Sequence, residues 1–249
     1  MATDNERRSP ASQAPVIEVR GLTKSFGNYP ALRGVDFQAR QGESVVIFGP
    51  NGAGKTTFIK ALAAIMRPSS GQILVDSLDL KNNAEEIRRR IGIVSHQTYL
   101  YNNLTAHENL EFYGRLYDVP ERARRIGEVA AMVDMTARLH DRVGTLSRGM
   151  QQRISIARCL LHRPIIILLD EPETGLDPQS AAMLWEALRA EGGQKRTIIH
   201  TSHSLERGFG LCDRVLILAR GKIAYEGAKP SLGLANVKQA YQDCTRMAA

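Results

Sequence analysis

One short segment constrains this chain more than any other: residues 48–58 have the sequence FGPNGAGKTTF. It fits the pattern G-x-x-x-x-G-K-[ST], in which glycines let backbone N–H groups turn inward around a polyphosphate. The pattern is met by Gly49, Gly54, Lys55 and Thr56. An apolar run at 44–48 precedes the loop, and apolar side chains at helical spacing follow it at 55–65. We therefore predict a strand, a phosphate-binding loop and a helix whose N-terminus faces the anion.

The polar side chains of this loop have expected roles toward a nucleotide. Lys55 is expected to neutralise the β- and γ-phosphates, Thr56 to place its hydroxyl on Mg²⁺, and Thr57 to reach the α-phosphate. A chance glycine turn is the alternative, but the pattern arises by accident in roughly one chain of this length per hundred. The sequence thus predicts a site for a nucleotide and Mg²⁺.

Length, hydropathy and cysteine spacing predict one compact domain in the cytoplasm. The chain has 249 residues, 43% of them hydrophobic, which is enough to bury a sizeable core. No apolar run approaches the ~18 residues of a bilayer span, and residues 1–15 are polar without an apolar signal segment. Cys159, Cys212 and Cys244 are too widely spaced for a disulfide framework or a C-x-x-C metal site. Reduced thiols are therefore expected, and no metal site beyond Mg²⁺.

The formal net charge of +7 does not by itself indicate nucleic acid as a partner. Lys and Arg are spread along the chain apart from short clusters at 88–90 and 122–125. A solvated helix surface explains such clusters, and no aromatic-and-basic recognition module accompanies them. No nucleic acid is expected to bind.

The apolar segments predict an α/β fold with two additional parts. Short runs at 16–19 and 35–37, separated by the turn-rich stretch 26–30, predict a small antiparallel sheet before the phosphate loop. Between residues 99 and 161 the pattern becomes helical. Further strands are predicted at 73–75, 91–94, 165–169, 197–200 and 215–218. The last of these is expected to begin a hairpin that turns at 220–221.

Two adjacent acids supply what a phosphate loop needs for hydrolysis. The apolar run 165–169 ends in Asp170-Glu171-Pro172, at the C-terminal end of a predicted strand, where open α/β sheets bind ligands. Asp170 is expected to serve Mg²⁺ through water, and Glu171 to polarise the attacking water. An ordinary acidic turn is the alternative, and the phosphate loop argues against it.

A second anion site is indicated at residues 146–153, which have the sequence LSRGMQQR. Ser147 offers a hydroxyl and Gly149 a backbone N–H at the start of a predicted helix. Taken alone, the segment fits an ordinary serine N-cap equally well. Its meaning depends on the other motifs of the chain.

Together these motifs resemble the nucleotide-binding subunit of an ATP-binding cassette (ABC) transporter, over residues 16–227. The resemblance implies the ABC ATPase fold, an α/β P-loop NTPase core with an N-terminal antiparallel β-subdomain and an inserted α-helical subdomain. The implied boundaries are a disordered tail at 1–14, an ATPase domain at 15–230, a helical subdomain at about 98–161 within it, and a short C-terminal tail at 231–249.

The resemblance assigns the ATP-binding and catalytic groups. The Walker A motif comprises Gly49, Pro50, Asn51, Gly52, Ala53, Gly54, Lys55, Thr56 and Thr57, and Walker B is the segment 166–170. The Q-loop residue Gln97 and the switch histidine His203 are expected to join the base Glu171 in catalysis. Thr56, Gln97 and Asp170 are the expected Mg²⁺ ligands.

Further contacts to ATP are implied by the same resemblance. Ser147, Gly149 and Gln151 of the signature are expected to meet the ATP held by a second chain, and Asp177 belongs to the D-loop 174–177. Phe26 matches the adenine-stacking aromatic. A core phenylalanine is the alternative there, and Tyr29 is a neighbouring candidate for the stacking role.

The implied assembly is a homodimer or heterodimer of ABC ATPase subunits around two ATP molecules, bound to an integral membrane permease. The chain would then lie on the inner face of the cell membrane, and the aromatic-rich segment 98–117 would contact a cytoplasmic helix of the permease. The wording of 95–97, 104–110 and 147–150 is most similar to ATPases of haem exporters (cytochrome c maturation) and related drug exporters. The alternative is a soluble, non-transport ABC ATPase of the iron–sulfur assembly or translation-factor type.

Overall fold

The computed structural model describes residues 14–173, 178–189 and 196–246. In chain order the strands are β1 (Ile17–Phe26), β2 (Tyr29–Ala39), β3 (Ser44–Phe48), β4 (Ser70–Val75), β5 (Leu78–Asp79), β6 (Ile91–Val94), β7 (Ile166–Asp170), β8 (Thr197–Thr201), β9 (Arg214–Ala219) and β10 (Lys222–Ala228). The α-helices are α1 (Lys55–Leu62), α2 (Leu80–Arg90), α3 (Ala106–Leu116), α4 (Arg122–Met132), α5 (Arg148–Leu160), α6 (Pro178–Arg189), α7 (Leu205–Gly210) and α8 (Leu234–Arg246). Residues 1–13 of the tail expected at 1–14, and the D-loop 174–177, lie outside the described residues.

The N-terminal sheet is antiparallel, with strand order β2-β1-β4-β5. β1 and β2 form a hairpin that closes with the pair Phe26 and Tyr29. At the start of β1, Ile17 and Val19 are buried while the residue between them is half-buried, as expected for a strand with one face on the core. The predicted antiparallel β-subdomain is confirmed.

The central sheet has strand order β10-β9-β3-β8-β7-β6 and is parallel except for β10. All residues of β7 and β8 are buried, which explains their nearly continuous apolar sequence. The phosphate loop follows β3, Asp170 ends β7, and His203 comes just after β8. Because these strands are parallel neighbours, their carboxyl ends bring the three segments to one edge of the sheet.

Helices α3, α4 and α5 form the inserted helical part and share one apolar cluster. Leu110, Ile126 and Ile154 of these helices pack in the same cluster as Val94 and Leu169 of the central sheet. The helical insert therefore rests on the strand that carries the acids. Among the residues described, no helix combines the length and the apolar character needed to cross a bilayer.

The C-terminal segment 231–249, expected to be a short tail, contains the 13-residue helix α8. Val237 is fully buried, and Ala240, Tyr241 and Cys244 pack against the apolar cluster that covers β9. These four side chains recur at three- and four-residue intervals and form a narrow apolar stripe on an otherwise polar helix. The ordered domain therefore continues past residue 230.

Candidate active site

The phosphate loop is locked in place by two glycines that no other residue could replace without strain. Gly49 has φ 153° and Gly54 has φ 105°. A Cβ atom on Gly49 would lie 2.2 Å from the carbonyl oxygen of Leu218, and one on Gly54 would lie 2.6 Å from that of Ala31. Both distances are far below van der Waals contact. Gly54 is the N-cap residue of α1 and has no side chain to cap the helix, so the first-turn N–H groups are available to an anion.

Lys55 is folded back over the loop that precedes it. Its Nζ donates to the carbonyl oxygens of Gly49 (2.8 Å) and Pro50 (3.2 Å), and the residue is only 5% exposed. Burial lowers the pKa of the Lys55 amine, while the nearby carboxylates of Glu171 and Asp170 oppose that change. The structure thus places the loop's one cation next to both acids that the sequence predicts for catalysis.

The two acids share a partner that the sequence analysis did not identify. The Oγ1 of Thr201 donates to Asp170 Oδ1 (3.0 Å) and accepts from the backbone N–H of Glu171 (2.9 Å). Thr201 is fully buried at the end of β8. The hydroxyl therefore joins the carboxylate of one acid to the backbone of the next.

Glu171 and His203, both predicted to be catalytic, are in direct contact. His203 Nε2 lies 2.5 Å from Glu171 Oε1. The Glu171 side chain is 26% exposed and that of His203 is 52% exposed, so both can be reached from solvent. A carboxylate held by an imidazole at the mouth of a phosphate loop is suited to removing a proton from water.

Gln97 shares a cavity with Glu171, the predicted general base. The cavity has a volume of about 720 Å³, and Gln97, Glu171, Arg148 and Gln151 are among its lining residues. A further lining residue is the buried Gln152, whose Nε2 donates to the Pro172 carbonyl oxygen at 3.3 Å. The sequence analysis missed this tie between the signature helix and the turn after Glu171.

The signature begins helix α5 and is open to solvent. Ser147 is the N-cap residue, and its hydroxyl accepts from the Met150 N–H at 3.3 Å. Apart from its two chain neighbours and the backbone of its own helix, no atom of the described residues lies within 4 Å of a Cβ built on Gly149. Gln151 uses its amide Nε2 to donate to the carbonyl oxygens of Val143 (3.0 Å) and Leu146 (3.1 Å), which fixes the preceding loop. The segment is therefore rigid but exposed.

Two aromatic side chains stand where the β1–β2 hairpin closes. Phe26 is 50% exposed and Tyr29 is 58% exposed, which rules out the core alternative for Phe26. The Tyr29 hydroxyl donates to the carbonyl oxygen of Gly52 in the phosphate loop, at 3.3 Å. Lys24 Nζ lies 5.2 Å from the centroid of the Phe26 ring. Both rings are thus presented beside the phosphate loop.

The oxygen donors at this edge of the sheet suit Mg²⁺ bound together with a phosphate chain. Magnesium is held in such sites by one or two protein oxygens, several waters and the substrate's phosphates. Thr56 offers an exposed hydroxyl, and Asp170 and Gln97 offer a carboxylate and an amide oxygen. Within 14–173, 178–189 and 196–246, no group of three or more His, Cys, Asp or Glu side chains could hold a metal by itself. Asp177 lies outside the described residues.

A phosphate loop after β3, a histidine after the neighbouring strand β8 and two acids at the end of β7, the strand beyond it, define a P-loop ATPase. The sequence profile of the ABC transporter family matches residues 32–174, more than half of the chain. The protein therefore belongs to the ABC transporter family, and the chain is an ATP-binding cassette of that family.

Curated relatives are similar over most of the chain. Linearmycin resistance ATP-binding protein LnrL of Bacillus subtilis (strain 168) is 36% identical over 219 residues, covering 87% of this chain and 70% of that protein. ABC transporter ATP-binding protein NatA of the same organism is 40% identical, covering 81% and 83%. Nod factor export ATP-binding protein I of Burkholderia orbicola is 34% identical, covering 89% and 73%. The predicted likeness to haem exporters is not confirmed by these relatives and stays a prediction.

Solved structures agree with this assignment. An ATP-binding subunit of an ABC transporter superposes with a TM-score of 0.82 at 29% identity, covering 92% of this chain and 99% of that one. A dimeric ATP-binding cassette in a post-hydrolysis state, bound to ADP and phosphate, superposes with a TM-score of 0.78 at 28% identity, covering 87% and 100%. The predicted ABC ATPase fold and ATPase activity are confirmed.

Proposed function

We propose that this chain is the ATPase subunit of an exporter, which hydrolyses MgATP between two cassettes and drives a separate membrane permease. The observation that carries the catalytic part is the 2.5 Å contact between Glu171 and His203 beside the phosphate loop. The export part is supported by relatives named for drug resistance and for Nod factor export. On this proposal the chain lies on the inner face of the membrane through its permease.

ATP is bound by the loop 49–57 through its inward backbone N–H groups and the Lys55 ammonium, which moves from the two carbonyls it now contacts to the β- and γ-phosphates. Thr56, Gln97 and, through water, Asp170 would hold Mg²⁺, which would supply positive charge beside the phosphate oxygens. Phe26 stacks on the adenine, and Tyr29 keeps the hairpin tied to the loop at Gly52.

Glu171 acts as the general base. Its carboxylate accepts a proton from the water that attacks the γ-phosphate, and His203 holds that carboxylate in position. Gln97 lines the same cavity as Glu171 and is placed to orient the water or the ion. The products are ADP and inorganic phosphate.

A second cassette completes the site. Ser147 is exposed and Gly149 half-buried at the start of a 13-residue helix, where a hydroxyl, N–H groups and the helix dipole favour a phosphate. In the proposed dimer they contact the γ-phosphate of ATP bound to the other chain, and Gln151 holds their loop rigid. Two copies of this chain, or this chain and a related one, provide the same geometry.

The permease is proposed to dock on the segment after Gln97. Tyr101 is 51% exposed and packs edge-to-face on Phe112, which is 42% exposed. By contrast, the Tyr99 carbonyl accepts from the Tyr113 hydroxyl inside the helical part, so Tyr99 serves internal packing. The exposed pair is the part of the segment 98–117 best placed to contact a partner helix.

Replacing Glu171 by Gln tests the catalytic proposal, because the amide keeps the shape of the side chain and loses the base. We expect ATPase turnover to fall about 10²–10⁴-fold while MgATP binding persists. The trapped protein should elute as a dimer in size-exclusion chromatography with MgATP. Glu206→Gln is the control, since that carboxylate is exposed and pairs with Lys238 on the surface. Full activity of Glu171→Gln, or a monomer with MgATP, would contradict the assignment.

Transport is separated from the soluble alternative by partner capture. A tagged chain expressed from its own operon should co-purify from membranes with a protein of several hydrophobic spans. Recovery of an active ATPase only from the soluble fraction, without such a partner, would favour the iron–sulfur assembly or translation-factor type.

A further inference from the structure

Thr201 occupies the point where three strands of the central sheet meet the active site. It is the last residue of β8, and in the strand register it is paired with Ile47 on one side and Asp170 on the other. It is fully buried, so it does not contact the nucleotide. Its hydroxyl is nevertheless hydrogen-bonded to both of the adjacent acids.

The two hydrogen bonds use the hydroxyl in opposite senses. The single proton of Thr201 is donated to Asp170 Oδ1 at 3.0 Å, which holds that carboxylate in one rotamer and leaves its other oxygen free of this bond. The Thr201 oxygen in turn accepts from the Glu171 N–H at 2.9 Å. One hydroxyl thus sets the direction of the acid predicted for Mg²⁺ and the backbone position of the general base.

The backbone of Glu171 needs such support. Its φ is 54°, in the left-handed region that residues other than glycine seldom adopt. A residue held there persists only where its surroundings impose the conformation. The hydrogen bond from the Glu171 N–H to Thr201 is one such restraint, and it acts on the residue whose carboxylate must meet the attacking water.

We propose that Thr201 is a positioning residue that aligns the Mg²⁺-binding carboxylate of Asp170 with the general base Glu171. The inference rests on the proposed function, because it takes the roles of both acids from there. Thr201 acts only through these two residues and takes no part in proton transfer.

The same strand offers a matched control. Thr197, the first residue of β8, is also fully buried, and its hydroxyl accepts from the Gly42 N–H (2.9 Å) and donates to the Arg40 carbonyl oxygen (3.1 Å). A Thr→Val substitution at either end therefore removes the same hydroxyl from the same kind of environment. Only the one at position 201 touches the acids.

The test compares Thr201→Val, Thr201→Ser and Thr197→Val in the full chain. For Thr201→Val we expect kcat to fall by about 10–100-fold and the Mg²⁺ concentration for half-maximal activity to rise, as is typical when a group behind a metal ligand is lost. Independently of turnover, the gain in fluorescent-ATP affinity on adding Mg²⁺ should shrink, while affinity without Mg²⁺ stays at the wild-type value. Thr201→Ser, which keeps the hydroxyl, and Thr197→Val should both resemble the wild type in these measurements.

Equal kcat and equal Mg²⁺ dependence in Thr201→Val and Thr197→Val would overturn the inference. If Thr201→Val does not fold, Thr201→Ser and Thr201→Ala carry the same comparison, because they differ by one oxygen atom and share the same lost methyl group. The result is separable from the proposed function. Loss of turnover in Glu171→Gln with no Mg²⁺ effect at position 201 rejects only the role of Thr201, whereas an active Glu171→Gln rejects the function beneath it.

Discussion

The phosphate loop and the start of the signature helix are both predicted anion sites that contain glycine, yet they are built in opposite ways. At Gly49 a Cβ atom would lie 2.2 Å from the Leu218 carbonyl oxygen, whereas a Cβ on Gly149 would have no described atom within 4 Å other than its chain neighbours and its own helix backbone. Lys55 is 5% exposed within the first site, while Ser147 stands exposed in the second. The phosphate loop is enclosed by its own chain, which we call the closed half. The start of the signature helix is open on its outward side, which we call the open half.

This difference follows from what surrounds each segment. The phosphate loop lies between β3, β9 and the β1–β2 hairpin, so its backbone N–H donors are preorganised before any ligand binds. The signature is held only from behind, through the Gln151 amide and the rest of α5. Its outward side is available to a partner surface. A closed half and an open half on one chain are what a site shared between two cassettes requires.

The largest expected effect comes from adding one methyl group to each half. Gly49→Ala places a Cβ against the Leu218 carbonyl and strains the backbone, so the loop must move. A misplacement of about 1 Å can lower a reaction rate roughly 10²-fold, so ATPase turnover should fall by at least that factor, and ATP affinity should fall with it. Gly149→Ala should bind ATP like the wild type, because its Cβ meets nothing within the chain.

Gly149→Ala should still lose hydrolysis, since the new methyl group lies where the partner's γ-phosphate is expected. Its thermal stability should be unchanged or slightly higher, as alanine is favoured over glycine in a helix by about 0.5–1 kcal/mol. Equilibrium titration with fluorescent ATP, steady-state ATPase rates and thermal melts separate the three quantities. Equal ATP affinity in the two alanine variants would break the distinction between a closed and an open half.

The next effect removes one polar group from each half. Lys55→Ala deletes charge-assisted hydrogen bonds worth about 1.5–3 kcal/mol each, so ATP affinity should fall roughly 100-fold. Ser147→Ala should leave the ATP affinity of the monomer near the wild-type value and reduce hydrolysis in the dimer. Both affinities are measured by nucleotide fluorescence at protein concentrations that keep the chain monomeric.

A helix-cap control is needed for Ser147→Ala, because losing an N-cap costs about 1 kcal/mol by itself. Thr105 caps α3 through the same kind of bond, because its hydroxyl oxygen accepts from the Glu108 N–H at 3.1 Å. Thr105→Ala should lose similar stability and keep its ATPase rate. A drop in hydrolysis of the same size in both variants would show that Ser147 acts through helix stability alone.

Much of the closed half could be predicted from the sequence, because its chemistry is local. Glycines at fixed spacing before a lysine specify the loop, and the apolar runs 91–94, 197–200 and 215–218 all lie within strands of the structure. The adjacency of Lys55, Asp170 and Glu171 follows from the parallel sheet order. The individual residue roles in ATP binding and catalysis stay predictions.

What sequence reasoning missed depends on tertiary contacts. Thr201 ends an apolar strand, where threonine is an ordinary β-former, so only the packing of β7 beside β8 reveals its two hydrogen bonds. Helix α8 was missed for a different reason. Its apolar stripe consists of only four residues in a polar segment. The helix is stabilised because these residues pack against β9 and α7.

The exposed aromatic pair beyond the open half gives a smaller and more specific effect. Tyr101→Asp replaces a side chain that is 51% exposed by a charged one, so the fold should tolerate the substitution. Losing an aromatic anchor costs an interface about 2 kcal/mol or more, which corresponds to roughly 30-fold weaker binding to the permease. ATP binding by the isolated chain should be unchanged. Wild-type membrane association and transport in Tyr101→Asp would place the docking surface elsewhere.

The C-terminal end of the signature helix α5 is held by buried contacts, whereas its N-terminal end is open. Arg125 is buried and donates to the carbonyl oxygens of Leu160 (2.5 Å) and Leu161 (3.0 Å) at the end of α5. The next residue, His162, stacks on Tyr117 with ring centroids 4.1 Å apart. The end of α5 is therefore held by buried contacts, whereas its start is open.

The smallest prediction tests that anchor through its dependence on pH. Burial lowers the pKa of His162 from 6.5 to about 4, the hydrogen bond to the Ile91 carbonyl opposes the change, and Arg158, Arg125 and Arg196 reinforce it. Because the unfolded chain protonates His162 at higher pH than the folded chain does, the contribution of the neutral imidazole to the free energy of unfolding is complete above about pH 6.5. That contribution is lost as the pH falls toward 4. At pH 5 the loss should be about 1–2 kcal/mol. In urea unfolding at pH 7.5 and pH 5, His162→Gln should lose less stability between the two pH values than the wild type. Identical losses in the two proteins would show that the closed end of α5 is held without the neutral imidazole.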